Sequence, residues 1–307
     1  MRSLSAVLVG AVLVAAVACA GRAPAAPTPT AAEGDASCAR EGLSRTVAYR
    51  RLPGVPRNAT SLDVHAPDGA CGAPVVVWVH GGGYHRGDKA NGMRDKRAWA
   101  EREGWVLVSV NYRLTTVGDP DSARFPDHYD DVAAALAWVE AHIADDGGDA
   151  GRLALLGHSA GADIVANVAA EPRYLAGAGS STDLIDCLAP LDTAGFDKAR
   201  ASAVEQRQWV SALGNHPGFR TDTSATLLLR SGAAAPPPDT IVVRRGTPRR
   251  QSIQLDYRRA ARGAGATTAA IDARALSHGE VSSRLGATGD RVMTPALTRF
   301  LRRCLTP

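Results

Sequence analysis

A chain of 307 residues is long enough for one large α/β domain or two small ones. Its composition, 45% hydrophobic and 21% charged, is that of a globular protein with a buried core and not of a disordered or membrane-spanning chain. The formal net charge of +4 at pH 7 gives no sign of a nucleic-acid-binding surface, so no nucleic acid is expected among its partners.

The first twenty residues have the pattern of an export signal. Arg2 precedes an apolar run over residues 4–17, and small residues occupy positions 18–20. A membrane span needs about 20 apolar residues, and this run is shorter and is followed by Gly21 and Arg22. We therefore interpret residues 1–20 as a secretory signal peptide.

Two processing routes remain open for this signal. Cleavage after Ala20 would release the protein, whereas residues 16–19 resemble a bacterial lipobox that would make Cys19 a lipidated N-terminus. Ala16 departs from the lipobox pattern, which prefers Leu at that position. We expect a bacterial protein that is secreted or anchored to the cell envelope, with no membrane contact except through that lipid.

Residues 21–37 are rich in Ala, Pro and Thr and are predicted to form a disordered tether, followed by one α/β domain over residues 38–307. Setting Cys19 aside, an even number of cysteines remains, which in an exported chain indicates two disulfides. Three pairings are possible. We favour Cys38–Cys71, which flank a predicted hairpin region, and Cys187–Cys304, which would join a late strand to the last helix. No C-x-x-C pair occurs, so no zinc or redox site is expected.

Short apolar runs then alternate with helical stretches, the pattern of a mostly parallel sheet covered by helices. Residues 129–144 carry apolar side chains at helical spacing and predict a helix. The near-continuous apolar runs of buried strands lie at residues 73–79, 105–110, 152–157 and 239–243, with further strands predicted within 184–191 and 267–271.

The third of the four apolar runs leads into the sequence Gly-His-Ser-Ala-Gly at residues 157–161, and a helical stretch follows. G-x-S-x-G between a strand and a helix is the nucleophile elbow, in which flanking glycines permit a tight turn. It predicts Ser159 as a nucleophile. It also directs the backbone N–H of Ala160, at the helix N-terminus, toward a reacting carbonyl.

A second glycine-rich motif, His-Gly-Gly-Gly at residues 80–83, directly follows the first of these runs. Glycines allow backbone N–H groups to approach a substrate with no side chain between them. The alternative interpretation is a flexible turn. Combined with the elbow, the motif predicts the second half of an oxyanion hole.

Together with Tyr84, residues 87–89, residues 110–114, residues 125–126, Asp131 and Trp138, these motifs resemble the HGGG-type esterase/lipase branch of the α/β-hydrolases over about residues 73–300. That branch includes hormone-sensitive-lipase-like, feruloyl-esterase-like and arylformamidase-like members. The resemblance implies the α/β-hydrolase fold, a mostly parallel central sheet with helices on both faces. It also implies that Gly82, Gly83 and Ala160 supply the oxyanion N–H groups, and that Tyr112, Arg113 and Asp131 support the scaffold.

The catalytic base is expected late in the chain, because the triad order of this fold is Ser, acid, His. Only His216 and His278 follow Ser159. His278 comes after the predicted last strand and before a C-terminal helix, where the family places its base. His216 stands in an Asn-His-Pro-Gly turn, so we favour His278.

The acid is where the sequence departs from its relatives. The family usually carries Asp after the penultimate strand, but residues 244–250 contain Arg, Gly, Thr and Pro and no carboxylate. Residues 191–194, one strand earlier, resemble the Leu-Asp-Pro-Ala segment in which some lipases of this fold place the acid. We therefore predict Asp192, with Asp197 as the second candidate and a turn-capping role for Asp192 as the alternative.

These residues predict a serine hydrolase that cleaves short-chain or aryl esters through an acyl-enzyme, with no metal or organic cofactor. Tyr84 and His85, beside the glycine loop, are predicted to border the acyl pocket. Two other functions stay open. One is an arylformamidase-like amide hydrolase, and the other is a catalytically inactive hydrolase fold used for binding.

Overall fold

The protein is described here by a computed structural model that covers residues 38, 42–232 and 236–306. The predicted signal peptide and tether, residues 1–37, lie outside the described residues, which begin at Cys38. The described residues form an eight-stranded sheet and ten α-helices. The strands are β1 Leu43–Ala48, β2 Ser61–Ala66, β3 Ala73–Val79, β4 Val106–Val110, β5 Gly148–His158, β6 Cys187–Leu191, β7 Asp239–Arg244 and β8 Thr268–Asp272. The helices are α1 Arg94–Glu103, α2 Asp127–His142, α3 Ala160–Ala170, α4 Arg173–Gly177, α5 Ala203–Leu213, α6 Phe219–Asp222, α7 Ala225–Arg230, α8 Pro248–Gly263, α9 His278–Ser283 and α10 Met293–Cys304.

The strand order across the sheet is β1-β2-β4-β3-β5-β6-β7-β8. β1 and β2 form an antiparallel pair, β2 pairs antiparallel to β4, and the strands from β3 to β8 run parallel to one another. This arrangement is the predicted α/β-hydrolase fold. Because the strands from β3 onward run in one direction, their carboxyl ends meet at one edge of the sheet.

Both faces of the sheet are buried by helices, which explains why its strands are almost continuously apolar. Along β3, Val75, Val77 and Val79 pack into the core that contains α2, α3 and α8. The alternate residues Val76 and Trp78 face the core that contains α1, α9 and α10. The period of two that a strand imposes on its side chains therefore divides one apolar run between two cores.

The sequence predicted most of these elements closely and missed some boundaries. β3 spans the predicted residues, whereas the strand predicted within 184–191 begins only at Cys187. Leu184 instead closes a short 3-10 helix, Thr182–Leu184, in which the Ser181 side chain accepts a hydrogen bond from the Asp183 N–H. That local capping competes with extended structure at the start of the run.

Two disulfides close the domain, Cys38–Cys71 and Cys187–Cys304, which are the favoured pairs of the three possible pairings. The second joins β6 to the end of α10.

Between β6 and β7, a 3-10 helix at Gly195–Arg200 and helices α5 to α7 form a helical cap. In the part of the chain that the structure describes, no helix is long and apolar enough to cross a membrane.

Candidate active site

Ser159 stands at the sharp turn between β5 and α3, with a backbone φ of 58° that side-chain-bearing residues rarely adopt. The turn is held by the Ser159 N–H, which donates to the carbonyl of Leu191 on the neighbouring β6 over 3.1 Å. A Cβ at Gly157 would clash with the Gly161 carbonyl, and a Cβ at Gly161 would clash with the Val79 carbonyl. The two glycines of the elbow are therefore required by backbone packing.

His278 begins α9, in the loop that returns from β8 to the sheet edge. Its Nε2 lies 2.8 Å from Ser159 Oγ, and its Nδ1 lies 2.6 Å from Asp192 Oδ2. In this network Nδ1 carries the proton that is donated to the carboxylate, which leaves Nε2 to accept from the serine hydroxyl. The structure thus brings together the three residues that the sequence predicted for the triad, and both distances lie within the expected hydrogen-bond range.

Asp192 follows β6 directly, is fully buried and has a positive φ of 60°. Besides His278, its carboxylate accepts hydrogen bonds from Arg245 Nη1, from Arg250 Nε over 2.8 Å and from Gln254 Nε2 over 3.0 Å. Burial alone would raise the pKa of Asp192, but the His278 hydrogen bond and the Arg250 charge outweigh it and lower the pKa below its usual range. The carboxylate therefore stays ionised.

The two arginines come from the segment where the family usually carries its acid. Arg245 follows β7, and Arg250 lies in the first turn of α8. The segment contains no carboxylate, as predicted, but the binding of its two cations to the carboxylate of the neighbouring strand was not predicted. The adjacency of the β6 and β7 ends could have suggested it, since opposite charges at neighbouring strand ends meet.

The glycine loop after β3 lies beside Ser159. A Cβ at Gly82, whose φ is 129°, would clash with the Arg86 carbonyl, and Gly83 also has a positive φ of 65°. Among the described residues, the backbone N–H groups of Gly82, Gly83 and Ala160 donate to no acceptor. Unused donors around a nucleophile are what an oxyanion hole needs.

Of the predicted scaffold residues, Tyr112 contacts this loop directly, whereas Arg113 and Asp131 bind each other. Tyr112 donates its hydroxyl hydrogen to the His80 carbonyl over 3.2 Å and stacks on the His80 ring at 4.5 Å. Arg113 binds the buried Asp131 through Nε at 2.7 Å and Nη2 at 3.0 Å, and its own backbone N–H donates to the same carboxylate. None of the three scaffold side chains reaches Ser159.

The prediction that Tyr84 and His85 border the acyl pocket is wrong. The Tyr84 ring is fully buried and its hydroxyl donates to Asp163 in α3. His85 points toward the cap, where its ring nitrogens meet the Thr115 carbonyl at 2.9 Å and Ser211 Oγ at 3.1 Å. The positive φ of Tyr84, 70°, turns its side chain under the loop and away from the site.

A cavity of about 620 Å³ opens over the nucleophile. Trp78 and the glycine loop form one wall, Ser159, His158 and His278 form the floor, and Gln208 of α5 reaches in from the cap. This volume is within the range of pockets that bind small organic ligands.

His158, which precedes the nucleophile, was missed as a supporting residue. Its Nε2 donates to the His278 backbone carbonyl over 2.9 Å, and the two rings lie 4.6 Å apart. Burial, and then the charge of a protonated His278, lower the pKa of His158 to about 4, so the ring is neutral near pH 7. It fixes the loop that carries the base to the strand that carries the nucleophile.

The rejected candidates lie elsewhere. His216 stacks on Phe125 at 4.8 Å and faces Asp222, and Asp197 is buried in the cap with no hydrogen bond to His278.

Within the described residues, His158, Asp192 and His278 place ligand atoms within 4.8 Å of one another, close enough to hold a metal ion. The hydrogen bonds of the triad already account for that cluster.

Comparison with known proteins points to one family. The family model described as the carboxylesterase family matches residues 55–208. The para-nitrobenzyl esterase of Bacillus subtilis (strain 168) is 32% identical over 142 residues, which cover 44% of this chain and 29% of that protein. The aligned segments span less than a third of the length of the curated relatives that the chain matches.

Solved structures share the fold. EstE1, a thermophilic carboxylesterase cloned from a metagenomic library, superposes with a TM-score of 0.61 at 21% identity, covering 80% of this chain and 85% of that one. Esterase B from Lactobacillus rhamnosis, in an inhibited form, gives a TM-score of 0.67 at 16% identity, with 86% and 88% covered.

Proposed function

Because the chain belongs to the carboxylesterase family, we propose that it hydrolyses carboxylic esters through an acyl-enzyme intermediate on Ser159. One observation carries the proposal, the continuous hydrogen-bonded series from Ser159 Oγ to His278 at 2.8 Å and from His278 to Asp192 at 2.6 Å. It lies at the carboxyl edge of the sheet, beside a loop of unused N–H donors. An inactive binding fold would have no need to keep that geometry.

In the proposed reaction, His278 Nε2 takes the proton of Ser159 while Oγ attacks the ester carbonyl. The N–H groups of Gly82, Gly83 and Ala160 stabilise the negative charge that develops on the carbonyl oxygen. His278 then gives the proton to the leaving alcohol. Water, deprotonated by the same imidazole, releases the acid and restores the serine hydroxyl.

We propose short-chain or aryl esters as substrates. The cap between β6 and β7 is short, and Gln208 narrows a cavity of about 620 Å³, which suits a small acyl group better than a long chain. The similarity to a para-nitrobenzyl esterase supports an aryl-containing ester. Formyl amides are the contrasting substrates, because the arylformamidase-like alternative cleaves an amide bond.

We also propose that the protein is exported, either secreted or held by a lipid on Cys19. The support is the sequence pattern of residues 1–20, together with two disulfides in the described domain, a feature of proteins that fold outside the cytoplasm.

A panel of p-nitrophenyl esters of increasing acyl length and matched N-formyl arylamides tests the substrate proposal. We expect turnover that is highest for the short esters and absent in Ser159→Ala, which typically loses about 10⁶ in turnover. Preferential cleavage of the formyl amides would contradict the ester assignment, and retention of a tenth of the activity in Ser159→Ala would contradict the nucleophile.

A further inference from the structure

We propose that Arg245 is a positioning residue of the triad that also sets the acid limit of activity: it holds Asp192 toward His278 and places a second positive charge beside the base. The proposal rests on the proposed function, because it acts through the Ser159–His278 pair. It concerns a residue at the place where relatives carry the acid itself.

The geometry around Asp192 Oδ2 carries the inference. This one oxygen accepts from both His278 Nδ1, at 2.6 Å, and Arg245 Nη1. As a result Arg245 Nη1 lies 3.4 Å from His278 Nδ1. Both nitrogens carry protons in this network, so the pair gains no hydrogen bond from its closeness. What remains between them, once the ring is protonated, is the repulsion of two positive charges.

Arg245 is well placed for such an effect because little water reaches it. Its side chain is only 15% exposed, and it meets a carboxylate with no exposure at all. Charges in such an environment interact more strongly than at the surface. The Arg245 guanidinium therefore places a poorly screened positive charge beside the ring that must accept the Ser159 proton.

Arg250 acts on the other side of the same carboxylate, binding Oδ1 through Nε and the Asp192 carbonyl through Nη2 over 3.1 Å. Part of its charge is compensated by Glu205 of α5, which it contacts at 2.8 Å. Arg245 has no such second carboxylate among the described residues, so its charge acts on the Asp192–His278 pair alone.

The other ionisable groups around the base do not replace this effect. From β5, the neutral His158 faces the His278 ring, since burial lowers the pKa of His158 to about 4. From α1, Lys96 donates to the Ser282 carbonyl over 2.9 Å. On α9 itself, Glu280 caps the Ser277 N–H and pairs with Arg284, facing outward. Burial also lowers the pKa of Lys96 to about 8, so this ammonium keeps its charge throughout the acid limb and does not change with it.

The test measures kcat/KM against pH for a p-nitrophenyl ester, and the rate of fluorophosphonate labelling against pH, for the full chain. Arg245→Gln keeps a donor for Asp192 and removes the charge. Arg249→Gln removes an equal charge from the first turn of α8, where Arg249 is exposed and bonds to neither Asp192 nor His278 in the described chain. Arg245→Lys keeps the charge and loses the planar fork.

We expect the acid limb of Arg245→Gln to move to higher pH by about one unit, because the nearby like charge is gone. For Arg249→Gln and Arg245→Lys we expect a limb within ~0.3 unit of wild type, since each keeps the Arg245 position charged. The plateau of Arg245→Lys should fall about tenfold with little change in KM, because a single ammonium orients the carboxylate less well than a fork.

Superimposable acid limbs for Arg245→Gln and wild type would overturn the proposal, and so would an equal shift in Arg249→Gln. If Arg245→Gln does not fold, Arg245→Met replaces it as the uncharged variant, and an acid limb that superimposes on that of wild type contradicts the proposal. Labelling separates this inference from the proposed function: a wild type that labels but cleaves no ester removes the substrate assignment and leaves Arg245 testable by labelling. A wild type that does neither removes both.

Discussion

Ser159, Asp192 and Tyr84 are the residues other than glycine that take a positive φ in the described chain. Two belong to the triad, and the third anchors the glycine loop through Asp163. Such conformations cost roughly 1–3 kcal/mol each and persist only where surrounding contacts over-determine them. Backbone strain is therefore concentrated in the triad and in the glycine loop beside it.

The assignment of Asp192 as the triad acid is the residue assignment that a single substitution tests most severely. Replacing it by Asn keeps its size but favours the wrong imidazole tautomer, and the comparable change in a serine protease costs about 10⁴ in turnover. We expect a loss of that order for Asp192→Asn, measured as kcat on a p-nitrophenyl ester. The matched control is Asp197→Asn, a buried carboxylate with no hydrogen bond to His278 among the described residues.

Equal losses in the two variants would mean that the decrease reflects general damage to the cap, and wild-type turnover in Asp192→Asn would remove the acid from the mechanism. The sequence could indicate Asp192 because the triad order and the Leu-Asp segment survive in the primary structure. It did not identify Arg245 and Arg250 as its partners, because their contact has no motif of its own and follows only from the adjacency of the β6 and β7 ends.

At the scale of elements, a buried ion pair joins the cap to α3. Lys198 Nζ lies 2.8 Å from the Asp163 carboxylate, and both side chains are completely buried. The lysine also donates to the Gly195 carbonyl over 3.2 Å, and Asp163 accepts from Tyr84 of the glycine loop. One carboxylate thus connects the cap, the nucleophile helix and the oxyanion loop.

Removal of one partner should be costly, because it leaves an uncompensated charge in the core. We expect Lys198→Met to lower the free energy of unfolding by about 3–5 kcal/mol, measured by urea denaturation. The double variant Lys198→Met with Asp163→Asn should recover part of that loss. Arg207→Met, at an exposed position of α5, should stay within about 0.5 kcal/mol of wild type. A double variant less stable than Lys198→Met would contradict this account.

Elements were predictable where burial on both faces left an unambiguous apolar run, as in β3 and β7. Boundaries failed where local side-chain bonds compete with the strand, as before Cys187. The cap escaped detailed prediction because its helices are short and are held by tertiary contacts such as that of Lys198, which have no local sequence signature.

At the scale of the whole molecule, the disulfides tie both ends of the described domain to its body. Cys187–Cys304 closes a separation of 117 residues. Its removal by paired Ser substitutions should lower the free energy of unfolding by about 2–5 kcal/mol, measured by urea denaturation.

The export proposal predicts at most one free thiol, that of Cys19, on titration of the denatured protein recovered from outside the cell. Four reactive thiols there would contradict both the pairing and the export proposal.

Buried neutral histidines make stability depend on pH. Burial lowers the pKa of His158 to about 4 and that of His128 to about 3, and partial burial lowers the pKa of the half-buried His65 to about 4. Between these values and about 6.5, the unfolded chain binds protons that the folded chain does not, so stability rises with pH in that window. We expect each fully buried histidine to cost about 1–2 kcal/mol on going from pH 7 to pH 5.

Urea titrations at the two pH values measure this loss, and His128→Asn should reduce the difference between them even if it lowers stability at both. An unchanged difference would show that His128 does not titrate with unfolding.

The central claim is that Ser159 is a live nucleophile activated by His278. The most direct measurement is labelling of the purified protein with a fluorophosphonate, followed by mapping of the modified peptide by mass spectrometry. We predict a single adduct on Ser159, absent in Ser159→Ala and strongly slowed in His278→Ala, because both residues act as a unit. A folded wild-type protein that forms no adduct, or one that carries it on another residue, would contradict the account.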